Sequence, residues 1–148
     1  MKKSIVGSGM LVFIAIMLLA GCSSSGGDSG ISVQDAWVRN SPMMERAGAA
    51  YMVIENSGTT EDRLISASVD FANTVELHET KEVDGMMEMS PVEAIPVPAN
   101  GSVELAPGGL HVMLIDITEE LTPGQKVTLL LNFENAGEME IEAEVKDQ

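Results

Sequence analysis

Four side chains in this sequence carry soft or borderline-soft donor atoms at fixed spacing. They run His78, ten residues, Met89, twenty-one residues, then His111-Val112-Met113. Two imidazoles and two thioethers suit few biological metals. Thioether sulfur is soft and uncharged, and it selects Cu(I) over hard or strongly Lewis-acidic ions. A histidine must be neutral to ligate, so a site of this kind should lose affinity at low pH. Each residue alone has a plainer reading: a methionine is usually core filler, and a histidine is often a hydrogen-bonded surface residue. Yet the chain contains two histidines in all, and both fall in this pattern. The expectation is one Cu(I) per chain, held by His78, Met89, His111 and Met113.

Other chemistries are poorly supplied. Two histidines cannot make a three-His zinc site, and there is no His-Glu-x-x-His. A blue-copper electron-transfer centre needs a cysteine ligand, and the one cysteine, Cys22, has another role, argued below. Pro107-Gly108-Gly109 reads as a turn, because no Gly-Lys-Ser/Thr follows as a phosphate loop requires. Carboxylates are plentiful, but no pair stands out as an acid/base dyad. A small copper oxidase would need ligands that support both oxidation states, whereas two His with two Met favour Cu(I). A binding protein is therefore expected, not an enzyme. Of the other methionines, Met43 and Met44 read as core or loop packing. Met86 and Met87 are candidates for shielding the metal or for transient ligation during transfer. Trp37 and Tyr51 read as core aromatics.

The elements that must position these donors read as strands. Ile31 to Arg39, Ala49 to Glu55, Arg63 to Val69, Thr74 to Thr80, Met86 to Met89, Ser102 to Leu105, Leu110 to Ile117, Lys126 to Phe133 and Glu138 to Val145 are short and rich in apolar or β-branched residues. Asn56-Ser57-Gly58, Asp84-Gly85, Asn100-Gly101, Pro107-Gly108-Gly109, Pro123-Gly124 and Asn135-Ala136-Gly137 separate them as turns. No segment has a long helical period with caps. The pattern predicts an all-β domain, an antiparallel sandwich or barrel. Side chains two apart on a strand share a face. His111 and Met113 thus point together, away from Val112 and Leu114. His78 points with Glu76 and Thr80, away from Val75 and Leu77. A site at the rim or surface is expected, with no histidine buried in a core. Met89 is expected on a loop after Asp84-Gly85, free to swing in.

The start reads as an export signal. Lys2 and Lys3 precede an apolar run, Met10 to Ala20, that is too short for a typical membrane span. The run ends in Leu19-Ala20-Gly21-Cys22, a lipobox pattern, which predicts cleavage before Cys22 and its lipidation. Acylated Cys22 would leave no thiol for disulfides, copper thiolates or catalysis. The expected organisation is residues 1–21 as lipoprotein signal, 22–30 as lipidated cysteine and flexible Ser/Gly linker, and 31–148 as one β domain. The expected location is extracytoplasmic, on a membrane through the lipid anchor, in a periplasm or at a cell surface. The formal net charge of −15 argues against nucleic acid or anionic lipid headgroups as partners. It also serves simply to keep a secreted domain soluble.

The His-x10-Met-x21-His-x-Met spacing resembles the signature of the PCuAC family of periplasmic copper chaperones, and all four positions match. The surrounding sequence is similar too: Asp35-Ala36-Trp37-Val38-Arg39, Ala49-Ala50-Tyr51-Met52, Asp62-Arg63-Leu64, Val75-Glu76-Leu77-His78-Glu79, Ile95-Pro96-Val97-Pro98, Leu105 to Leu114 and Phe133 to Gly137 follow in the family's order. The resemblance spans about residues 31 to 145. Some members have a methionine directly after the first histidine, where this chain has Glu79. The resemblance implies a cupredoxin-like Greek-key β-barrel or sandwich. It also implies a Cu(I) chaperone that supplies the copper subunit of a cytochrome c oxidase, together with a Sco-type thiol protein. The alternatives are a copper buffer or resistance protein without a dedicated client, and a metal-free adhesion-type sandwich.

Overall fold

The structure, a computed structural model, describes residues 30–40 and 46–147. The expectations for the signal segment, Cys22, the linker, Met43 and Met44 lie outside the described residues.

Among the described residues ten strands follow in chain order: β1 (Ile31–Asn40), β2 (Ala47–Asn56), β3 (Asp62–Ser68), β4 (Ala72–Val83), β5 (Met86–Pro91), β6 (Ile95–Val97), β7 (Gly101–Leu105), β8 (Leu110–Ile117), β9 (Lys126–Phe133) and β10 (Gly137–Asp147). They form one sheet in the order β5-β4-β8-β2-β1-β10-β9-β3-β6, with β7 also paired to β2. The sheet folds over on itself, so that β3 packs against β4 and β6 against β7. Its ends, β5 and β6, do not pair, so the barrel stays open. This is an all-β, cupredoxin-like fold.

Alternation builds the core. Ala50, Met52 and Ile54 of β2, Val112 and Leu114 of β8, Leu129, Leu131 and Phe133 of β9, and Leu64, Ile95 and Val97 are all buried in one cluster. Three features differ from the sequence expectation. The sheet, expected to be antiparallel, has one parallel pair among the described residues, β1 with β10. These are the first and last strands of the domain, and no hairpin forces them to run opposite ways. Ile95–Val97 is a strand of three residues against β3, too short and too proline-interrupted to show a period. Finally, β4 runs on to Val83, and β5 begins at Met86. Asp84 and Gly85 between them both have positive φ, 52° and 81°. That is the geometry of a two-residue hairpin turn, which fits an Asp-Gly pair.

One buried charge ties a far corner together. Asp62 is 3% exposed. Its Oδ1 accepts the backbone N–H of Arg63 at 2.8 Å and of Asn135 at 2.9 Å, and its Oδ2 accepts that of Ala136 at 2.9 Å. Burial pushes its pKa up, but these hydrogen bonds and one from the Asn135 side chain outweigh it, and the pKa falls below the usual aspartate range. The stabilisation is therefore present above the unfolded pKa of about 3.9 and is lost as pH drops through the lower folded value. Asp62→Asn should cost about 1–3 kcal/mol at pH 7. Urea melts should show the gap to the unsubstituted protein narrowing below about pH 4.

Candidate metal centre

Strand register brings the predicted donors together. β4 and β8 are antiparallel, with His78 directly opposite His111 and Glu76 opposite Met113. β5 continues the sheet beyond β4, with Met89 opposite Thr80. Opposed residues of an antiparallel pair share a face. His78, His111, Met113 and Met89 therefore stand on one face, and Leu77, Val112 and Leu114 fill the core behind it. The two imidazole centroids are 5.8 Å apart and tilted by 53°. Next to them, a cavity of about 310 Å³ is lined by His111, Met113, Met89, Met87, Tyr51 and Arg39, with the small residues Ala47 to Ala49.

Each histidine has one ring nitrogen held and the other left open. His111 Nδ1 lies 3.0 Å from the Gly109 carbonyl oxygen, so Nδ1–H donates and Nε2 carries the lone pair. His78 Nε2 lies 2.8 Å from Glu76 Oε2, so Nε2–H donates and Nδ1 carries the lone pair. The two remaining nitrogens, His78 Nδ1 and His111 Nε2, are buried and have no hydrogen-bond partner among the described residues. A buried polar atom without a partner costs about 1–3 kcal/mol. Two such atoms on neighbouring residues of one face fit a metal ion as the missing partner, with Glu76 and Gly109 fixing the tautomers from behind. Burial pushes the His111 pKa below the usual histidine value. The Gly109 carbonyl works against that shift, and His78 adds to it. Neutral His111, the ligating form, is thereby favoured. Among the described residues no three His, Cys, Asp or Glu side chains gather as a metal cluster.

Three expectations change here. Met89 sits in the middle of β5, not on a loop, because the hairpin extends the β4 ladder past it. Its side chain is nonetheless 52% exposed. His111 is buried, at 3% exposure, although it faces away from the core. Tyr51 covers it, with ring centroids 6.2 Å apart. Nor do Trp37 and Tyr51 belong to the core cluster. Tyr51 stands between Ala50 and Met52 of the core and so points to the other face of β2; for Trp37 a bulge in β1 is the cause: Gln34 pairs with Val53 but Trp37 pairs with Tyr51, and Asp35 in the extra step has φ 52°. The added residue reverses the alternation. Trp37 and Arg39 therefore come out on the donor face, while Val38 goes into the core. Trp37 stacks on Tyr51 at 4.6 Å, and the Arg39 guanidinium lies 5.5 Å from the Tyr51 ring and 5.8 Å from that of Trp37. Sequence reasoning missed Arg39 and the orienting role of Glu76. The signal for Glu76 was present, since it stands two residues before His78 on the same strand face.

Residues 31–145 match the LpqE-like family, described as "Putative lipoprotein LpqE-like". The "Putative lipoprotein Lxx21020" of Leifsonia xyli subsp. xyli is 30% identical over 119 residues, covering 80% of this chain and 70% of that one. The copper-bound PCuAC domain from PmoF2 superposes with a TM-score of 0.68 at 30% identity, covering 80% of this chain and 94% of that domain. The solution structure of CuI-DR1885 from Deinococcus radiodurans gives 0.62 at 26% identity, over 86% and 84% of the two chains. The chain belongs to the LpqE-like family and is a PCuAC-family protein.

Proposed function

We propose that this protein is an extracytoplasmic, lipid-anchored carrier that binds one Cu(I) through His78, Met89, His111 and Met113. In this reading it passes the ion to a thiolate-rich acceptor, the copper subunit of a cytochrome c oxidase or a Sco-type protein. The pair of buried, unpartnered imidazole nitrogens beside Met113 and Met89 carries the reading. Copper in the similar PmoF2 domain and CuI in DR1885 support it.

The geometry suits a carrier. The imidazoles are held in fixed tautomers by Glu76 and Gly109, so the nitrogen half of the set is preorganised. The sulfur half is looser: Met113 is half-buried and Met89 is exposed. Neutral thioethers hold Cu(I) but yield it to thiolates, which bind more strongly. An acceptor can approach from the Met89 side without unfolding any strand. Copper-loaded protein mixed with the reduced apo copper-binding domain of an oxidase, or with a reduced Sco-type protein, should lose its metal to that partner. Copper that stays put with every such dithiol would favour a buffer or resistance protein.

The lipid anchor rests on the Leu19-Ala20-Gly21-Cys22 lipobox, and the lipoprotein names of the family and of Lxx21020 support it. Cys22→Ser should move the protein from the membrane to the soluble fraction or stall its processing. A variant that is processed and fractionates like the unsubstituted protein would refute the anchor.

A further inference from the structure

Three thioethers stand exposed on one strand: Met86, Met87 and Met89 of β5 are 65%, 60% and 52% exposed. β5 is an edge strand, bonded only to β4 among the described residues. Side chains so exposed add little to folding, so packing does not explain them. The strand's alternation separates them. Met87 and Met89 share a face, opposite Glu82 and Thr80 of β4, while Met86, opposite Val83, turns to the other side. Met87 and Met89 both line the cavity that His111 and Met113 also line, and Met86 does not.

Resting on the copper reading above, we propose that Met87 is a fifth donor of this site. It is an exchangeable thioether on the solvent side that substitutes for Met89 as Cu(I) enters or leaves. Two residues along a strand are about 6.6 Å apart, and each methionine has three rotatable bonds. Both sulfurs can thus reach toward one ion from the same wall of the cavity. The two differ in place: Met89 lies beside Thr80, two residues from His78, while Met87 lies one step nearer the hairpin tip and the solvent. An ion handed from Met89 to Met87 moves outward while keeping a sulfur ligand, so no step exposes it bare to water. No bond within the protein is made or broken, and copper stays Cu(I) throughout.

The strand supplies its own control, because Met86 is adjacent, equally flexible and more exposed, yet on the wrong face. The full chain is titrated with Cu(I) against a competing chelator as Met89→Leu, Met87→Leu/Met89→Leu and Met86→Leu/Met89→Leu. Sulfur neighbours are counted by X-ray absorption. Met89→Leu should keep two sulfur neighbours, Met113 and Met87, with a modest loss of affinity. Adding Met87→Leu should remove one sulfur and weaken binding by a further factor of roughly ten or more, about 1.4 kcal/mol. Adding Met86→Leu should do neither. If Met87→Leu/Met89→Leu binds like Met89→Leu and both show a single sulfur, Met87 is not a donor. The site itself is tested separately in the same series. An unsubstituted protein with no sulfur neighbour overturns the four-residue site, whereas two sulfurs there and one in Met89→Leu overturn Met87 alone.

Discussion

His111→Leu should abolish useful Cu(I) binding and leave the apo domain folded. Removing a group that merely orients a metal ligand typically costs 10–100-fold in affinity, so loss of the ligand itself should cost at least about 100-fold. The stability side follows from the local bonds. His111 Nε2 is buried without a partner, and leucine removes that penalty while occupying a site that is already 97% covered, given 3% exposure. The Gly109 carbonyl, which loses the His111 donor, still accepts the Thr80 N–H at 3.0 Å, so no new orphan is created. Thermal melts of apo His111→Leu should match or exceed those of the unsubstituted apo protein, while chelator competition shows the collapse in affinity. A variant that loses copper only because it unfolds would mean that His111 is structural.

Copper loading should raise stability substantially, and chelation should return it to the apo value. The core lies wholly behind the donor face and needs no metal: Leu77, Val112 and Leu114 are buried by β packing alone. Apo protein should therefore give a strand-rich circular dichroism spectrum. Binding then adds stability by mass action, about 4 kcal/mol when free Cu(I) is a thousand times the dissociation constant. For a domain of this size that is a rise in Tm on the order of 10–20 °C. Trp37, which stacks on the Tyr51 ring beside His111, offers an optical signal for the same titration. A random-coil spectrum for the apo form would contradict the separation of core from site.

Much of this arrangement was legible before any coordinates. Around the donors, in Val75–His78 and His111–Leu114, core residues alternate with the donor side, so the side to which His78, His111 and Met113 point could be read from parity alone. Asp84-Gly85 and Pro107-Gly108-Gly109 fixed where the donor strands begin. What could not be read was set by pairing between distant segments. The Asp35 bulge moves Trp37 from the expected core to the donor face and brings Arg39 out beside it, and nothing in the local sequence announces an extra residue there. The burial of His111 depends on Tyr51 from another strand. Met86 to Met89 read as a short strand, but Met89 at its end, after the Asp84-Gly85 turn, looked like a loop ligand. It is a strand because it completes the β4 ladder, and its exposure follows from lying at the sheet's edge.

X-ray absorption at the copper edge of the Cu(I)-loaded protein tests the central claim most directly. The account predicts two imidazole nitrogens and two thioether sulfurs around a single ion per chain, and no such shell in His111→Leu, which lacks one of the two imidazoles. A first shell of nitrogen and oxygen alone, with no sulfur neighbour, would contradict it.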